Sequence, residues 1–441
     1  MNGENCFDIV IVGAGPGGSA AALALDYYFR QRKRESRILV IDKRSKERER
    51  SNTVLLDEAP ASALHSLGCD LSKFTPATDW CQINPEEAEI NRYPLNHYQG
   101  GRRKNLVFNA GFMLRRTPVF DVGINLLEDV MYEEIGKSGI TLAHETCLSS
   151  LAQLPDGSFQ LGVDSKTVPR QVHCRYIVAA DGAKSNTLNL LGARKKGSRK
   201  LETIVSASFT QSGVGNTKYH NNNRSVEALS LATRQGTSVF VKVPPEIEQE
   251  RGAASNAGSS ARLMSVLIEG ARKLGVESEI GYGFSVIPIF LARSEFSIYR
   301  KNIFVIGDAR HSTTPRVALG ANVAIMDALR AARAIVQIEC GSSLGAHLAR
   351  VSYRLHTWLG THILTWLGGV TTASQSVKAR SSVTKPSKAT RLYKFWKTQV
   401  LMSIHWRAAR GAVFSYDESN PLQSLEKSRS NRTNNLQTQF E

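Results

Sequence analysis

The chain has no Cys-x-x-Cys pair. Its six cysteines, Cys6, Cys69, Cys81, Cys147, Cys174 and Cys340, are scattered. That scatter argues against a zinc site, a dithiol centre and a disulfide framework, and it fits a reducing compartment. No apolar run reaches the ~18 residues of a spanning helix. No leader peptide is expected either, because Met1 to Asp8 is short and polar and the first apolar run already reads as a strand. Acid is missing locally, with no Asp or Glu from Lys378 to Arg410. Only one Gly-x-Gly-x-x-Gly occurs, which leaves no second unit for a separate nicotinamide domain.

What is present is ample for a core: 441 residues, 41% of them hydrophobic, enough for two or three domains. The formal charge is +17, concentrated in Arg30–Arg50 and in the C-terminal region. Nucleic acid and an anionic membrane surface both attract such charge. The expectation is a cytoplasmic protein with a solvated basic surface. Peripheral membrane contact through the basic C-terminal region stays open, and nucleic acid is disfavoured.

Phe7–Val12 reads as a β-branched strand. It runs into Gly13-Ala14-Gly15-Pro16-Gly17-Gly18 and then a helical stretch from Ser19. Gly13 suits the tight turn, Gly15 lets backbone approach a pyrophosphate, and Gly18 lets helix and strand pack closely. A second strand, Arg37–Ile41, ends at Asp42-Lys43, where an acid suits ribose hydroxyls. Asp42 lies late because of the basic insert YYFRQRKRES, which should lengthen the first helix.

Two further strand ends carry carboxylates. Tyr176–Ala180 ends in Asp181-Gly182, with Ser185 following, and Ile303–Ile306 ends in Gly307-Asp308. After the second comes a polar loop, then Gly320-Ala321-Asn322 opening an alanine-rich helix. A carboxylate at a strand's carboxyl end suits a polyol chain, and unpaired helix N–H groups suit developing negative charge. Reduced flavin would use both.

Gly307-Asp308, His311, Pro315 and Gly320-Ala321-Asn322 resemble the second FAD motif of the single-component FAD-dependent monooxygenases, the para-hydroxybenzoate hydroxylase-like and kynurenine 3-monooxygenase-like family. Asp181-Gly182 resembles that family's Asp-Gly motif. The chain departs from the pattern at Ala318, where relatives carry glycine, and at Leu188, where they carry arginine. The resemblance implies an α/β fold: a Rossmann-like FAD-binding domain of glutathione reductase type, an inserted mixed-sheet substrate domain and a C-terminal helical tail. The FAD-binding parts would be 1–75, 103–195 and 296–345, with substrate-domain parts at 76–102 and 196–295. A helical region would follow at 346–415 and a disordered tail at 416–441.

It further implies FAD, with NADPH or NADH as a transient co-substrate and a flavin C4a-hydroperoxide that hydroxylates or epoxidises a small aromatic or lipophilic molecule. FAD would be held by Gly13, Gly15, Pro16, Gly18, Ser19, Asp42, Lys43, Arg116, Asp181, Gly182, Gly307, Asp308 and Gly320-Ala321-Asn322. Pro315 would shape the wall by the oxygen-reacting face, and the Gly320-Ala321-Asn322 helix start would stabilise charge on the ring. A double-bond reductase of geranylgeranyl-reductase type and a flavin-bound docking protein without turnover remain alternatives. No metal site is expected. Val119–Ile135 reads as one helix, Pro244–Ser260 as a polar loop, and Tyr282, Phe284 and Phe290 as possible pocket lining or core.

Overall fold

The computed structural model describes residues 5–47, 50, 52–76, 80–83, 90–93, 118–193, 195–210, 217–222, 225–233, 236–251, 256–312 and 320–358. Arg116, Pro315, Ala318 and the region beyond 358 lie outside them.

The first sheet forms from β-branched runs that can be buried on both faces. Strands Cys6–Val12 (β1), Ile38–Ile41 (β2), Thr141–Ala143 (β3), Gln171–Ala179 (β4) and Ile303–Val305 (β5) run parallel in the order β5-β4-β1-β2-β3. Register is set by matched apolar positions such as Val10 opposite Leu39 and Ile177. The antiparallel strands Cys147–Gln153 and Phe159–Asp164 extend the sheet beside β4, turning at Gly157 with φ +86°. Helix Pro16–Gln31 follows β1 and packs on helix Gly320–Cys340. The basic insert lengthens the first helix only through Gln31.

The second sheet has eight strands among the described residues. Its central members are Lys195–Phe209, Gly236–Lys242, Ser225–Thr233 and Ile280–Ser294, paired antiparallel. Strands Trp80–Ile83 and Ile90–Tyr93 join it at the far edge, one of them parallel to Thr217–Asn222, so the sheet is mixed. One face packs on helix Asn256–Lys273 through Val205, Ala207, Val239 and Val241. The architecture expected from the sequence, a nucleotide-type α/β layer plus a mixed sheet, is the one observed.

Three local expectations change. Residues Pro118–Gly123 form a strand and the helix begins only at Ile124. Val122 and Phe120 pair with Val54 and Leu56 of strand Thr53–Asp57, so ladder bonds override the helical periodicity. Pro245–Arg251, expected as loop, is a short helix started by proline. Gly307–Arg310 is one helical turn after β5, entered through Gly307 at φ +56°.

Candidate cofactor and substrate site

A cavity of about 580 Å³ runs from the Gly13–Gly17 turn, past Asp181-Gly182 and Gly307-Asp308, to the second sheet. The carboxyl ends of β1, β2, β4 and β5 therefore converge on one space, as expected of a doubly wound sheet.

At the first turn the glycines divide their tasks. Gly13 has φ +105°, and a Cβ there would lie 2.5 Å from the Ala180 carbonyl oxygen. A Cβ on Gly18 would lie 1.8 Å from the Gly13 carbonyl oxygen. Gly15 has open space instead, with no atom nearer than 3.8 Å to its would-be Cβ. Gly15, Pro16 and Gly17 line the cavity where the first helix presents its unpaired N–H groups. Ser19 points inward and donates to the Ala14 carbonyl (3.0 Å), which also accepts from the Tyr132 hydroxyl (2.7 Å).

Asp42 is buried at the cavity edge. It accepts from the Ala14 N–H (2.7 Å), the Arg44 N–H (2.8 Å) and the Arg44 guanidinium (2.9 and 2.7 Å). Burial works against its charge, but the Arg44 and Ala14 bonds win and its pKa is lowered. A ribose hydroxyl would share a carboxylate that Arg44 already holds, a partner that no sequence motif singles out. Lys43 is exposed at the rim. Glu128, buried nearby, pairs with Arg50 and lies 4.0 Å from Arg44.

At the second turn, Asp181 Oδ2 accepts from the Thr187 N–H (2.8 Å) and hydroxyl (2.9 Å), while its buried Oδ1 has no partner among the described residues. Ser185 caps helix Asn186–Leu190 by accepting from the Leu188 N–H, a structural task. Leu188 itself is buried against Ala179, Val305 and Ala309. Lys195 donates to the carbonyls of Ala183 and Asp308 and so links the second and third turns. Burial lowers its pKa against the pull of Asp308 and Asp181. No motif marks a lysine at a strand start, so nothing local in the sequence points to it.

Asp308 faces the cavity. Its surroundings desolvate the carboxyl and raise its pKa, although His311 and Lys195 oppose this. His311 is buried and hydrogen-bonds Asp327 (2.9 Å), whose other oxygen meets Arg330 (3.3 Å). Burial disfavours the Asp327 charge, yet His311, Arg310 and Arg330 hold its pKa far below the usual carboxylate range. His311 therefore ties the chain after Gly307–Arg310 to helix Gly320–Cys340 and is not among the cavity-lining residues. Gly320 and Ala321 line the cavity. The Asn322 side chain does not: it accepts from the Asp57 N–H (2.9 Å) and donates to the Leu55 carbonyl (2.7 Å). It fixes strand Thr53–Asp57 against the helix start, and Thr53, Val54 and Leu55 of that strand form cavity wall.

The far wall is the free face of the second sheet. Ile204, Leu229, Leu231, Phe240, Ile287 and Ile289 project into the cavity at period-two spacing, with Glu202 and Lys242 among them. The Thr53 hydroxyl donates to Ser238 Oγ (2.7 Å) and ties this sheet to the nucleotide layer. Tyr282, Phe284 and Phe290 are not in the wall; Phe284 packs toward the helix side and Phe290 is exposed.

These features suit a dinucleotide carrying a polyol and a flat ring. Gly15 leaves room for a pyrophosphate, Asp181 Oδ1 lacks a donor among the described residues, and Asp308 stands in the cavity with a raised pKa. A family model described as an FAD binding domain matches residues 7–352. The 2,4-dichlorophenol 6-monooxygenase of Delftia acidovorans is 22% identical over 346 residues, covering 73% of this chain and 55% of the relative. The chain thus spans about half the length of that curated relative. The p-nitrophenol 4-monooxygenase PnpA from Pseudomonas putida DLL-E4 aligns with a TM-score of 0.63 at 16% identity, over 92% of this chain and 97% of its own. Aklavinone-11 hydroxylase, solved as a ternary complex with FAD and aklavinone, aligns with a TM-score of 0.64 at 19% identity, over 88% and 73% of the two chains. At these identities the structures establish a shared fold.

Proposed function

Because the chain belongs to the FAD binding domain family, we propose that it is an FAD-dependent monooxygenase. It uses NADPH or NADH and dioxygen to hydroxylate or epoxidise a small aromatic or lipophilic substrate. The observation that carries this is the cavity itself, which joins three nucleotide-type strand ends to an apolar sheet face.

Gly15–Gly17 would hold the pyrophosphate on the first helix N-terminus. Asp42 and Lys43 would lie along the adenosine side. Asp181 Oδ1 and Asp308 would accept from the ribityl chain and its neighbours. Bound FAD would supply hydride acceptance and oxygen activation. The protein's part is to orient the ring, offer the Gly320–Ala321 N–H groups to negative charge, and exclude water with the apolar wall. Asn322 serves this site as a positioning residue. Arg116 is proposed as a further phosphate contact and Pro315 as a wall residue. Lys242 stands in the wall with no hydrogen-bond or ion-pair partner among the described residues. A substrate bearing a carboxylate or phenolate would meet a counter-charge there.

The test is anaerobic reduction by NADPH or NADH, then admission of isotopically labelled dioxygen with candidate phenols and isoprenoids. Label in the product supports the proposal. Saturation of a substrate double bond without label indicates the reductase. A flavin that neither nicotinamide reduces indicates a docking protein without turnover.

A further inference from the structure

Helix 343–358 presents two unlike faces. Its inner face seats Ala349, Tyr353 and Thr357 on the nucleotide layer, with the Tyr353 ring edge-on to Phe304 at 5.1 Å. Arg350 reaches the Lys301 carbonyl and Asn302 at 3.4 Å. The outer face carries Leu344, Leu348, Val351, Leu355 and Trp358, each 46–67% exposed. The spacing of four, three, four and three residues places all five on one stripe. Elsewhere among the described residues, large exposed apolar side chains occur singly, as at Ile268, Phe290 and Phe296. Scattered ones need no explanation, but a continuous stripe does.

Charge says what covers it. The helix contains Arg350 and Arg354 and no acid, and no Asp or Glu occurs anywhere between Glu339 and Asp417. Lys378, Arg380, Lys385, Lys388, Arg391, Lys394 and Lys397 follow in the same acid-free stretch. An apolar stripe of Leu344, Leu348, Val351 and Leu355, set in acid-free basic sequence, matches the chemistry of an interfacial helix on anionic lipid. No helix among the described residues is long and apolar enough to cross a membrane, and a one-sided stripe suits the surface.

We propose that the 344–358 stripe docks this protein on an anionic bilayer, with the nucleotide layer held close to the lipid. Leu348 and Leu355 enter the acyl boundary, and the net positive charge of the acid-free sequence favours anionic lipid. Nucleic acid would engage the basic charge but gives no role to Leu344, Leu348, Val351 and Leu355.

The test uses the full chain with FAD supplied. Flotation with phosphatidylcholine vesicles is compared with flotation on vesicles containing phosphatidylserine. The expected result is binding to the anionic vesicles, weakened but not abolished by salt. The double variant Leu348→Glu/Leu355→Glu should bind at least about tenfold more weakly, with unchanged melting temperature and FAD content. Wild-type protein that fails to bind overturns the proposal. So does a double variant that binds as well as wild type, which would leave the basic sequence alone responsible. A double variant that melts earlier, or wild-type protein that dimerises through this face, shows the stripe already covered by protein and overturns it too.

Discussion

The two ends of the cavity are built by opposite means. At the nucleotide end, backbone does the work: Gly13, Gly15 and Gly18 place main-chain atoms where no side chain could fit or where a ligand must approach. At the sheet end, Ile204, Leu229, Leu231, Phe240, Ile287 and Ile289 form the surface with side chains alone. The first end tolerates almost no change in residue type, because an added Cβ meets either main chain or the ligand's own space. The second end accepts any apolar residue of suitable volume. One end should therefore decide whether the cofactor is held, and the other which substrate is taken.

The contrast can be broken most forcefully at Gly18. Gly18→Ala places a Cβ 1.8 Å from a carbonyl oxygen, and the expected result is protein that aggregates or melts far below wild type. Gly15→Ala should fold normally, since its Cβ has room, yet take up little FAD; calorimetry and flavin titration distinguish the two. Asn322→Ala removes the buried amide that bonds the Asp57 N–H and the Leu55 carbonyl and should cost about 2–5 kcal/mol, read as a lowered unfolding midpoint in urea.

Asp308→Ala sharpens the comparison differently. Asp308 is exposed to the cavity and its side chain bonds no described residue, so the variant should be about as stable as wild type. Its FAD affinity should nevertheless fall about 10–100-fold with loss of a charged hydrogen bond, measured by quenching of flavin fluorescence. A variant that purifies fully yellow would remove Asp308 from the cofactor site. The smallest effect belongs to the wall. Phe240→Ala should leave FAD affinity within about twofold while changing KM and substrate preference.

Acid tests the nucleotide end as a whole. Asp42 and Asp327 have depressed folded-state pKa values. The unfolded chain thus binds protons that the folded chain refuses. The stability they contribute is present above the unfolded carboxylate value and should be lost progressively as pH falls below about 4. Chemical denaturation between neutral pH and pH ~3 should show that slope, reduced in Asp327→Asn.

The same contrast decides what is legible in the amino-acid order. Turns at Gly13, Asp181 and Gly307 depend on short contiguous patterns between a strand and a helix, and the sequence displays them. Arg44 matters through Asp42 and the distant Glu128, and Lys195 through Asp308, 113 positions away. No local pattern points to either. The sheet wall is hidden for another reason. Alternation in Gly236–Lys242 and Lys195–Phe209 marks two faces but not which one meets the helix. Aromatic character favours Tyr282, Phe284 and Phe290, whereas mainly aliphatic residues on neighbouring strands form the wall. Residues Pro118–Gly123 carry apolar spacing that fits both helix and strand, and pairing with Thr53–Asp57 decides for strand.

The acids beside Gly15 carry an electrical consequence. Asp42 meets Arg44, and Glu128 meets Arg50. A dianionic dinucleotide would then approach a doorway whose own negative charges are already cancelled. With Lys43 uncancelled among the described residues at the rim and the chain carrying +17, long-range attraction should still aid its capture, and raising ionic strength should slow loading.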